Sequence, residues 1–375
     1  MRVALFSHGG IGRPGDPYSI PALVNLVTRL SAWCEVTVFV PATGHRENDE
    51  YRCGDALVIP VECRSSSSFP RIALAFLSRF RKEQRRSAFH LLHGLWAYPS
   101  GAVAVALARM HRTPSVVSVI GGEAAAVRKI RYGLLRHPFL KPVVLHTLAK
   151  ADRVVVSTRF QIDCLSEHGL KRNDLEIVPS GISPDWLIPG WKRSPSPPFR
   201  ILHVANLTQV KDQETLLRCF SIIRRDVDAR LTIVGPDHME GRIQQTAADL
   251  GLDRNVTFAG FVPQDQLRRY YEQSDLMLHT SLFEGQAVVL AEAAATGVVV
   301  CGTRVGLLSD LGSSSMRAGP VGDPAQLARN ALELLENPRE FATLQLNARQ
   351  WAENHTIDWT AESYKRIYES VVSHS

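Results

Sequence analysis

Short apolar runs alternate with helix-like stretches along the whole chain, and this pattern constrains the fold most. In the first half the runs cover residues 3–7, 36–40, 90–95, 115–121, 153–157 and 175–178. In the second half they cover residues 200–205, 230–235, 256–259, 276–279 and 298–301. Near-continuous apolar strands separated by helices are typical of parallel sheets that are covered on both faces. The pattern therefore predicts an α/β protein with two such sheets.

The most proline-rich stretch of the chain, residues 187–199, separates the two sets of strands. We interpret it as an interdomain linker between a Rossmann-like domain over residues 1–186 and a second one over residues 200–356. A final segment, residues 357–372, carries aromatic and apolar residues at helical spacing. Ligands of open α/β sheets bind outside the carboxyl ends of the strands, so we expect the two domains to share a ligand-binding cleft.

Composition limits where such a protein can act. No apolar run approaches the roughly 18 to 20 residues of a membrane span. The amino terminus has only four consecutive apolar residues, Val3 to Phe6, which is too short for a signal peptide. We therefore expect a cytoplasmic protein. Reduced structural thiols are predicted for the scattered cysteines, which form no C-x-x-C pair. They are Cys34, Cys53, Cys63, Cys164, Cys219 and Cys301.

The net charge of +6 is concentrated in arginine-rich runs of the first half. One run contains Arg79, Arg81, Lys82, Arg85 and Arg86, and the next contains Arg128, Lys129, Arg131, Arg136 and Lys141. Such runs are either solvated helix faces or a surface for a phosphorylated acceptor or anionic lipid, which leaves peripheral contact with the inner membrane leaflet open. No aromatic stacking platform or base-reading motif accompanies the charge, so no nucleic-acid partner is expected.

Two glutamates, Glu284 and Glu292, lie eight positions apart across a predicted strand, loop and helix. Gly285 suits a tight turn, and the alanine-rich residues 286–296 predict a helix. Amides of the first helical turn have no intrahelical acceptor and can bind an anion. These amides belong to Gly285, Gln286, Ala287 and Val288. The simpler alternative is an N-cap glutamate followed by a solvated helix glutamate.

The pair resembles the E-x7-E signature of retaining family-4 glycosyltransferases of the GT-B fold. Residues 204–212 are similar to the family's G-R-L-x-x-x-K-G, and residues 231–236, 255–262 and 271–276 match further elements in the family's order. Residues 306–310 are a weakened form of a Gly-Gly-x-x-Glu element. The resemblance implies two doubly wound Rossmann-like domains that face each other across a cleft, with helix 357–372 joined to the first domain.

The resemblance also implies how a nucleoside diphosphate sugar is bound. In the family an arginine and a lysine grip the donor diphosphate. Lys211 stands at the lysine position, but Asn206 replaces the arginine, which reduces one contact from a charged fork to a neutral amide. Together with the loop amides, these side chains would stabilise the leaving diphosphate, while Glu284 would orient the sugar hydroxyls. No metal or other cofactor is expected, because these groups supply the positive charge.

The remaining donor contacts implied by the resemblance surround the nucleoside. Glu292 would bind the ribose, and Gly260, Phe261 and Val262 would border the base.

A literal G-x-G-x-x-G at Gly10, Gly12 and Gly15 follows the first predicted strand. Pro14 and Pro17 keep this segment in a loop, so the dinucleotide-binding interpretation, which needs a helix at the third glycine, is not favoured. In similar glycosyltransferases this loop lies over the donor phosphates. Gly10 and Gly12 are therefore predicted to bind the donor through backbone amides.

Two side chains of the first half are candidates for contact with the transferred sugar. His93 is predicted at a strand end that opens on the cleft, where a packing or capping role is the alternative. Residues 116–123 resemble the family's V-x-T-x-H-G-x-E loop, but Ile120 stands in place of its histidine. The resemblance therefore leaves His93 and Glu123 to position the sugar.

The resemblance implies a retaining, metal-independent hexosyltransferase of cell-envelope polysaccharide, glycolipid or related glycoconjugate synthesis. Its acceptor would be a sugar, a lipid-linked molecule or a small molecule. Two alternatives remain open. One is a sugar-nucleotide epimerase of the same fold, and the other is a catalytically weak paralogue that only binds a sugar nucleotide.

Overall fold

The computed structural model of the chain describes residues 1–13, 16, 19–42, 49–62 and 69–373. Pro14, Gly15, Pro17 and Cys63, which the sequence analysis considered, lie outside these residues. The strands are β1 (Arg2–Phe6), β2 (Glu35–Pro41), β3 (Tyr51–Cys53), β4 (Ala56–Val61), β5 (Leu91–Leu95), β6 (Ser115–Val119), β7 (Arg153–Val156), β8 (Leu175–Ile177), β9 (Phe199–Val204), β10 (Ala229–Val234), β11 (Val256–Gly260), β12 (Leu276–His279), β13 (Val299–Thr303) and β14 (Arg317–Gly319).

Helices lie between most of these strands, as the apolar pattern predicts, and the last three helices follow β14. The helices are α1 (Pro21–Ser31), α2 (Phe69–Arg86), α3 (Ala102–His111), α4 (Leu140–Lys150), α5 (Arg159–Glu167), α6 (Gln213–Asp226), α7 (Arg242–Asp249), α8 (Gln264–Glu272), α9 (Val288–Ala295), α10 (Leu307–Leu311), α11 (Pro324–Glu336), α12 (Pro338–Asn354) and α13 (Ile357–Ser373). Within the described ranges, no helix is long and apolar enough to span a bilayer.

Two compact units make up the chain. Unit 1 comprises residues 1–126, 133–180 and 357–375, and unit 2 comprises residues 127–132 and 181–356. The main crossing from unit 1 to unit 2 therefore lies between Ser180 and Gly181, not at the segment 187–199 that the sequence suggested as a linker. That segment is attached to unit 2, because the Arg193 guanidinium donates to the carbonyl oxygens of Tyr271 (2.7 Å) and Thr296 (3.0 Å).

Unit 1 is built on a sheet with the strand order β3-β4-β2-β1-β5-β6-β7-β8. Its pairs are parallel except for β3 against β4. Phe6, Phe76 and Phe80 are fully buried in the core between α2 and one face of the sheet. On the other side, α1 and α13 supply core residues such as Leu30 and Tyr368. Helices thus cover both faces, as continuous apolar strands require.

Unit 2 is built on a fully parallel sheet with the order β11-β10-β9-β12-β13-β14. Buried residues of α6 and α11 pack on one face, and residues of α9 and α12 pack on the other. If these six strands are numbered along the chain, their order across the sheet is 3-2-1-4-5-6, which is the doubly wound Rossmann arrangement. The prediction of two parallel sheets covered by helices is confirmed.

Candidate active site

In the sheet of unit 2, the direction in which the chain adds strands reverses between β9 and β12. The chain winds outward from β9 to β11 and then returns to place β12 on the other side of β9. Such a switch point leaves a crevice at the carboxyl ends of the two strands, where ligands of this fold bind. The loops that follow β9 and β12 carry Lys211 and Glu284, respectively. The topology therefore brings these two side chains to one place.

Lys211 and Glu284 form an ion pair. The Lys211 Nζ lies 2.6 Å from Oε1 of Glu284, which also accepts a hydrogen bond of 2.6 Å from the Ser281 hydroxyl. Burial alone would raise the pKa of Glu284, but the Lys211 ammonium and the neighbouring His279 hold it well below its usual range. Glu284 is therefore ionised at neutral pH, with an ammonium beside it.

His279 is a site residue that the sequence analysis missed. It ends strand β12, is fully buried, and places Nε2 3.3 Å from Oε1 of Glu284. Its other ring nitrogen, Nδ1, makes no hydrogen bond within the described part of the chain. The sequence signal that could have identified it is a histidine at the end of an otherwise apolar strand, five residues before Glu284.

Glu292 lies on α9 and is only 5% exposed. One oxygen accepts a hydrogen bond from Gln264 Nε2 (3.0 Å), and the other accepts one from the Tyr271 hydroxyl (2.8 Å). Burial raises its pKa, while these two donors act in the opposite direction. The alternative of a solvated helix glutamate is therefore wrong. Gln264 and Tyr271 are further residues that the sequence analysis did not assign to the site.

The backbone between the two glutamates differs from the predicted helix start. Helix α9 begins at Val288 and not at Gln286, and its N-cap is Ala287, with φ of 68°. A positive φ is uncommon for a residue other than glycine and is found mainly where function requires a particular backbone shape. Ala287 has no side-chain acceptor, so the N-cap residue itself does not cap the first-turn amides. This end of α9 is therefore suited to bind an anion.

Gly306 closes over this loop. Its φ of 53° and ψ of −132° suit glycine, and a Cβ atom there would lie 2.8 Å from the carbonyl oxygen of Gln286 and 2.9 Å from Cβ of Glu284. The Leu307 amide donates to the same carbonyl of Gln286 at 3.0 Å. The weakened motif that begins at Gly306 thus supports the loop after Gly285 by direct contact.

The other residues predicted to bind the donor lie at the carboxyl ends of β9 and β11, the two strands that flank β10 in unit 2. Asn206 is exposed just after β9, and its carbonyl accepts a hydrogen bond from Gln213. Gly260 ends β11 with φ of 65°, Phe261 is 60% exposed, and Val262 is half-buried. An exposed aromatic ring at a strand end is available for stacking on a planar ligand.

The geometry expected for His93 is wrong. His93 lies in the middle of β5, is fully buried, and both ring nitrogens have partners: the Tyr368 hydroxyl at 2.6 Å and the Ser118 hydroxyl at 2.8 Å. Burial lowers its pKa to about 3, so it is neutral. Its side chain ties α13 to the sheet of unit 1, which is the packing role that the sequence analysis considered as the alternative.

Glu123 is also a structural residue. It is 2% exposed, and its carboxylate accepts hydrogen bonds from the amides of Gly121 (2.8 Å), Ile120 (3.0 Å) and Ala97 (3.4 Å). Burial raises its pKa, and the backbone donors oppose that rise. The carboxylate therefore holds together the loops after β5 and β6, and no capacity for a sugar contact follows from these bonds.

Gly10 and Gly12 lie in the loop after β1 of unit 1. Gly10 has φ of 76°, and its carbonyl accepts the amide of Ile20 at 2.8 Å. A Cβ atom on Gly10 would lie 2.7 Å from the Ile20 side chain. The loop therefore needs glycine at this position for its own packing, whether or not it binds a ligand.

Two family models match the chain. The model described as Glycosyl transferases group 1 matches residues 198–337, and the model described as Glycosyltransferase Family 4 matches residues 22–186. Among curated proteins, the N-acetyl-alpha-D-glucosaminyl L-malate synthase of Bacillus anthracis is 25% identical over 335 residues, which cover 84% of this chain and 83% of that protein.

Solved structures share the fold over the full length. The sucrose-phosphate synthase of Thermosynechococcus elongatus has a TM-score of 0.82 at 19% identity and covers 100% of each chain. HepE of Anabaena in complex with UDP-glucose has a TM-score of 0.74 at 17% identity and covers 99% of this chain and 100% of the other. Because the two family models together match most of the sequence, this glycosyltransferase chain belongs to the group 1, family 4 glycosyltransferases of the GT-B fold.

Proposed function

We propose that this enzyme transfers a hexose from a nucleoside diphosphate sugar to an acceptor hydroxyl, with retention of the anomeric configuration. The observation that carries this proposal is the pairing of Lys211 with Glu284 at the switch point of unit 2. An ammonium beside an ionised carboxylate suits a ligand that has a diphosphate next to sugar hydroxyls. The complex of HepE with UDP-glucose supports a donor of this class.

In the proposed reaction the bond between the anomeric carbon and the diphosphate oxygen breaks, and a bond to the acceptor oxygen forms on the same face. A donor phosphate oxygen takes the acceptor proton. Lys211 has three N–H donors, so it can maintain its hydrogen bond to Glu284 and still donate to the departing diphosphate. Glu284 accepts hydrogen bonds from the sugar hydroxyls, and the amides at the start of α9 receive part of the phosphate charge.

Neighbouring residues are proposed to bind the nucleoside part of the donor. Glu292 would accept hydrogen bonds from the ribose, and Phe261 would border the base. The acceptor would be a sugar, a lipid-linked molecule or a small molecule in cell-envelope polysaccharide, glycolipid or related glycoconjugate synthesis. The support for this class of acceptor is the family resemblance.

Donor binding and product configuration test the proposal. UDP-, GDP- and ADP-glucose are compared for the rise in melting temperature, since a ligand at 100 times its Kd stabilises a protein by about 2.7 kcal/mol. The stabilising donor is then incubated with an acceptor panel, and the anomeric proton of the product is observed by NMR. We expect an α-linked product from an α-linked donor. A β-linked product would contradict retention.

Activity is expected to survive EDTA. Lys211 and the helix-start amides are assigned the charge neutralisation that a divalent cation supplies in metal-dependent transferases. The measurement is the initial rate with EDTA and with added Mg²⁺ or Mn²⁺. A complete loss that Mg²⁺ reverses would refute metal independence.

Glu292→Gln is expected to weaken the binding of the nucleoside diphosphate by about 1 to 3 kcal/mol, because a charge-assisted hydrogen bond to the ribose is replaced by a neutral one. Titration calorimetry with the free nucleoside diphosphate measures this loss. Glu336→Gln, on an exposed position of α11, is the matched control and should bind like the wild type. If the two variants bind the nucleoside diphosphate with equal affinity, Glu292 does not bind the ribose.

A further inference from the structure

The net charge of the protein is confined to one of its two units. Unit 1 holds 23 lysines and arginines against 17 aspartates and glutamates, a net charge of +6. Unit 2 holds 20 of each and is neutral. Unit 1 therefore has its own electrostatic attraction to anionic partners.

Helix α2 carries most of this excess. It has a single acidic residue, Glu83, so its net charge is +5. Its basic residues are Arg71, Arg79, Arg81, Lys82, Arg85 and Arg86. Glu83 is 4% exposed and is paired with Arg2 (3.6 Å) and Arg86 (2.9 Å). The acid is therefore turned into the protein, and the bases are left on the outside.

The inward face of α2 is apolar and already has its partner. Ile72, Phe76 and Phe80 are at most 3% exposed and pack in the core of unit 1. Their spacing of four residues marks one side of the helix. The outward face is consequently a separate surface, and of the residues discussed below only Leu77, at its edge, also packs against the core.

That outward face combines leucines with cations around one open groove. Leu74 is 66% exposed, and Leu77 is half-buried. Arg81, Lys82 and Arg85 follow one to two turns later and are exposed. No carboxylate of the described residues lies within ion-pair distance of these three cations. We call Leu74, Leu77, Arg81, Lys82 and Arg85 the α2 face.

The end of helix α3 lies beside α2. The His111 ring lies 5.2 Å from the Phe80 ring, so the last turn of α3 is next to α2. That turn exposes Arg109 and Met110, and Met110 is 62% exposed. One more cation and one more flexible apolar side chain are therefore exposed on an element that packs against α2.

We propose that the α2 face docks unit 1 on a bilayer that contains anionic lipids. The cations would pair with lipid phosphates, and Leu74 and Leu77 would enter the boundary between headgroups and acyl chains, where a basic amphipathic surface gains from both terms. A soluble phosphate would use the cations alone and leave Leu74 in water. The α2 face has no exposed aromatic ring for stacking on nucleic-acid bases. This docking does not depend on the proposed sugar transfer.

Co-sedimentation with vesicles tests the docking on the intact 375-residue chain. Binding is expected to equimolar phosphatidylcholine and phosphatidylglycerol but not to phosphatidylcholine alone. Replacing Arg81, Lys82 and Arg85 by glutamine should weaken binding on the order of 100-fold, because each basic residue near an acidic leaflet contributes about 1 kcal/mol and 1.4 kcal/mol is tenfold. The matched control replaces three exposed arginines of unit 2 by glutamine, Arg225, Arg230 and Arg254, and should bind like the wild type.

The apolar part of the proposal is tested without a change of charge. Leu74→Ser should weaken vesicle binding severalfold, whereas Leu346→Ser, at a 42% exposed leucine of unit 2, should not. Unchanged circular dichroism and melting temperature show that each variant is folded. Equal binding by the two charge variants would overturn the proposal. The proposal would also be overturned if inorganic phosphate released the protein from vesicles more effectively than chloride at equal ionic strength. Binding of the protein to duplex DNA but not to vesicles would overturn it as well.

Discussion

Lys211→Ala is expected to lower kcat by about 10² to 10³-fold, because removal of one preorganised donor to a developing oxyanion costs that much in enzymes where it has been isolated. Asn206→Ala should cost much less, since a neutral donor forms a bond roughly half as strong as a charged one. Initial rates at saturating donor measure both losses. Equal losses would show that the ammonium has no special role in the departure of the diphosphate.

The same substitution also affects stability, and the two effects need to be separated. Lys211→Ala leaves Glu284, with a side chain only 11% exposed, as a buried carboxylate without its cation, which is costly to a fold. Lys211→Met combined with Glu284→Gln removes both charges and should restore the melting temperature toward that of the wild type. Activity should remain lost in this double variant. Recovery of activity together with stability would show that Lys211 matters only for folding.

The folded protein is expected to lose stability steeply as the pH falls below about 6.5. His93 in unit 1 and His203 in unit 2 are fully buried, and burial lowers the pKa of each to about 3. In the unfolded chain they bind protons near pH 6.5, so unfolding takes up protons between pH 6.5 and 3. Each histidine then costs up to about 1.4 kcal/mol of stability per pH unit in this window, or about 2 kcal/mol by pH 5.

Urea unfolding at pH 7.5 and pH 5 measures this loss. His93→Gln should be less stable than the wild type at pH 7.5, because the bonds to Tyr368 and Ser118 are disturbed, yet its stability should change less with pH. His238→Gln, at an exposed position, is the control and should keep the wild-type slope. Glu123 and Glu292, whose pKa values burial raises, act in the opposite direction, so the test compares slopes between variants. A wild-type slope in His93→Gln would refute the role of this histidine.

Every strand predicted from an apolar run overlaps an observed strand, because a strand that is buried on both faces has to be apolar throughout. Three strands were not predicted, β3, β4 and β14. Pro60 lies inside β4, and proline normally argues against a strand, whereas β3 and β14 have only three residues each. Their place is determined by the neighbouring strands that they pair with, which no local pattern reports.

The spacing of Glu284 and Glu292, and the order of the motifs around them, were sufficient to predict the family of the enzyme, and they also led to the candidate site in unit 2. Local sequence carries this information because the glutamates, the turn and the helix start all lie within one short segment. The partners of these groups come from elsewhere in the chain: Lys211 is 73 residues from Glu284, and Tyr271 is 21 residues from Glu292. Likewise, only tertiary structure showed that His93 is packed against a helix 275 residues away. Burial and long-range pairing decide whether a polar side chain serves the fold or a ligand, and neither is visible in a run of neighbouring residues.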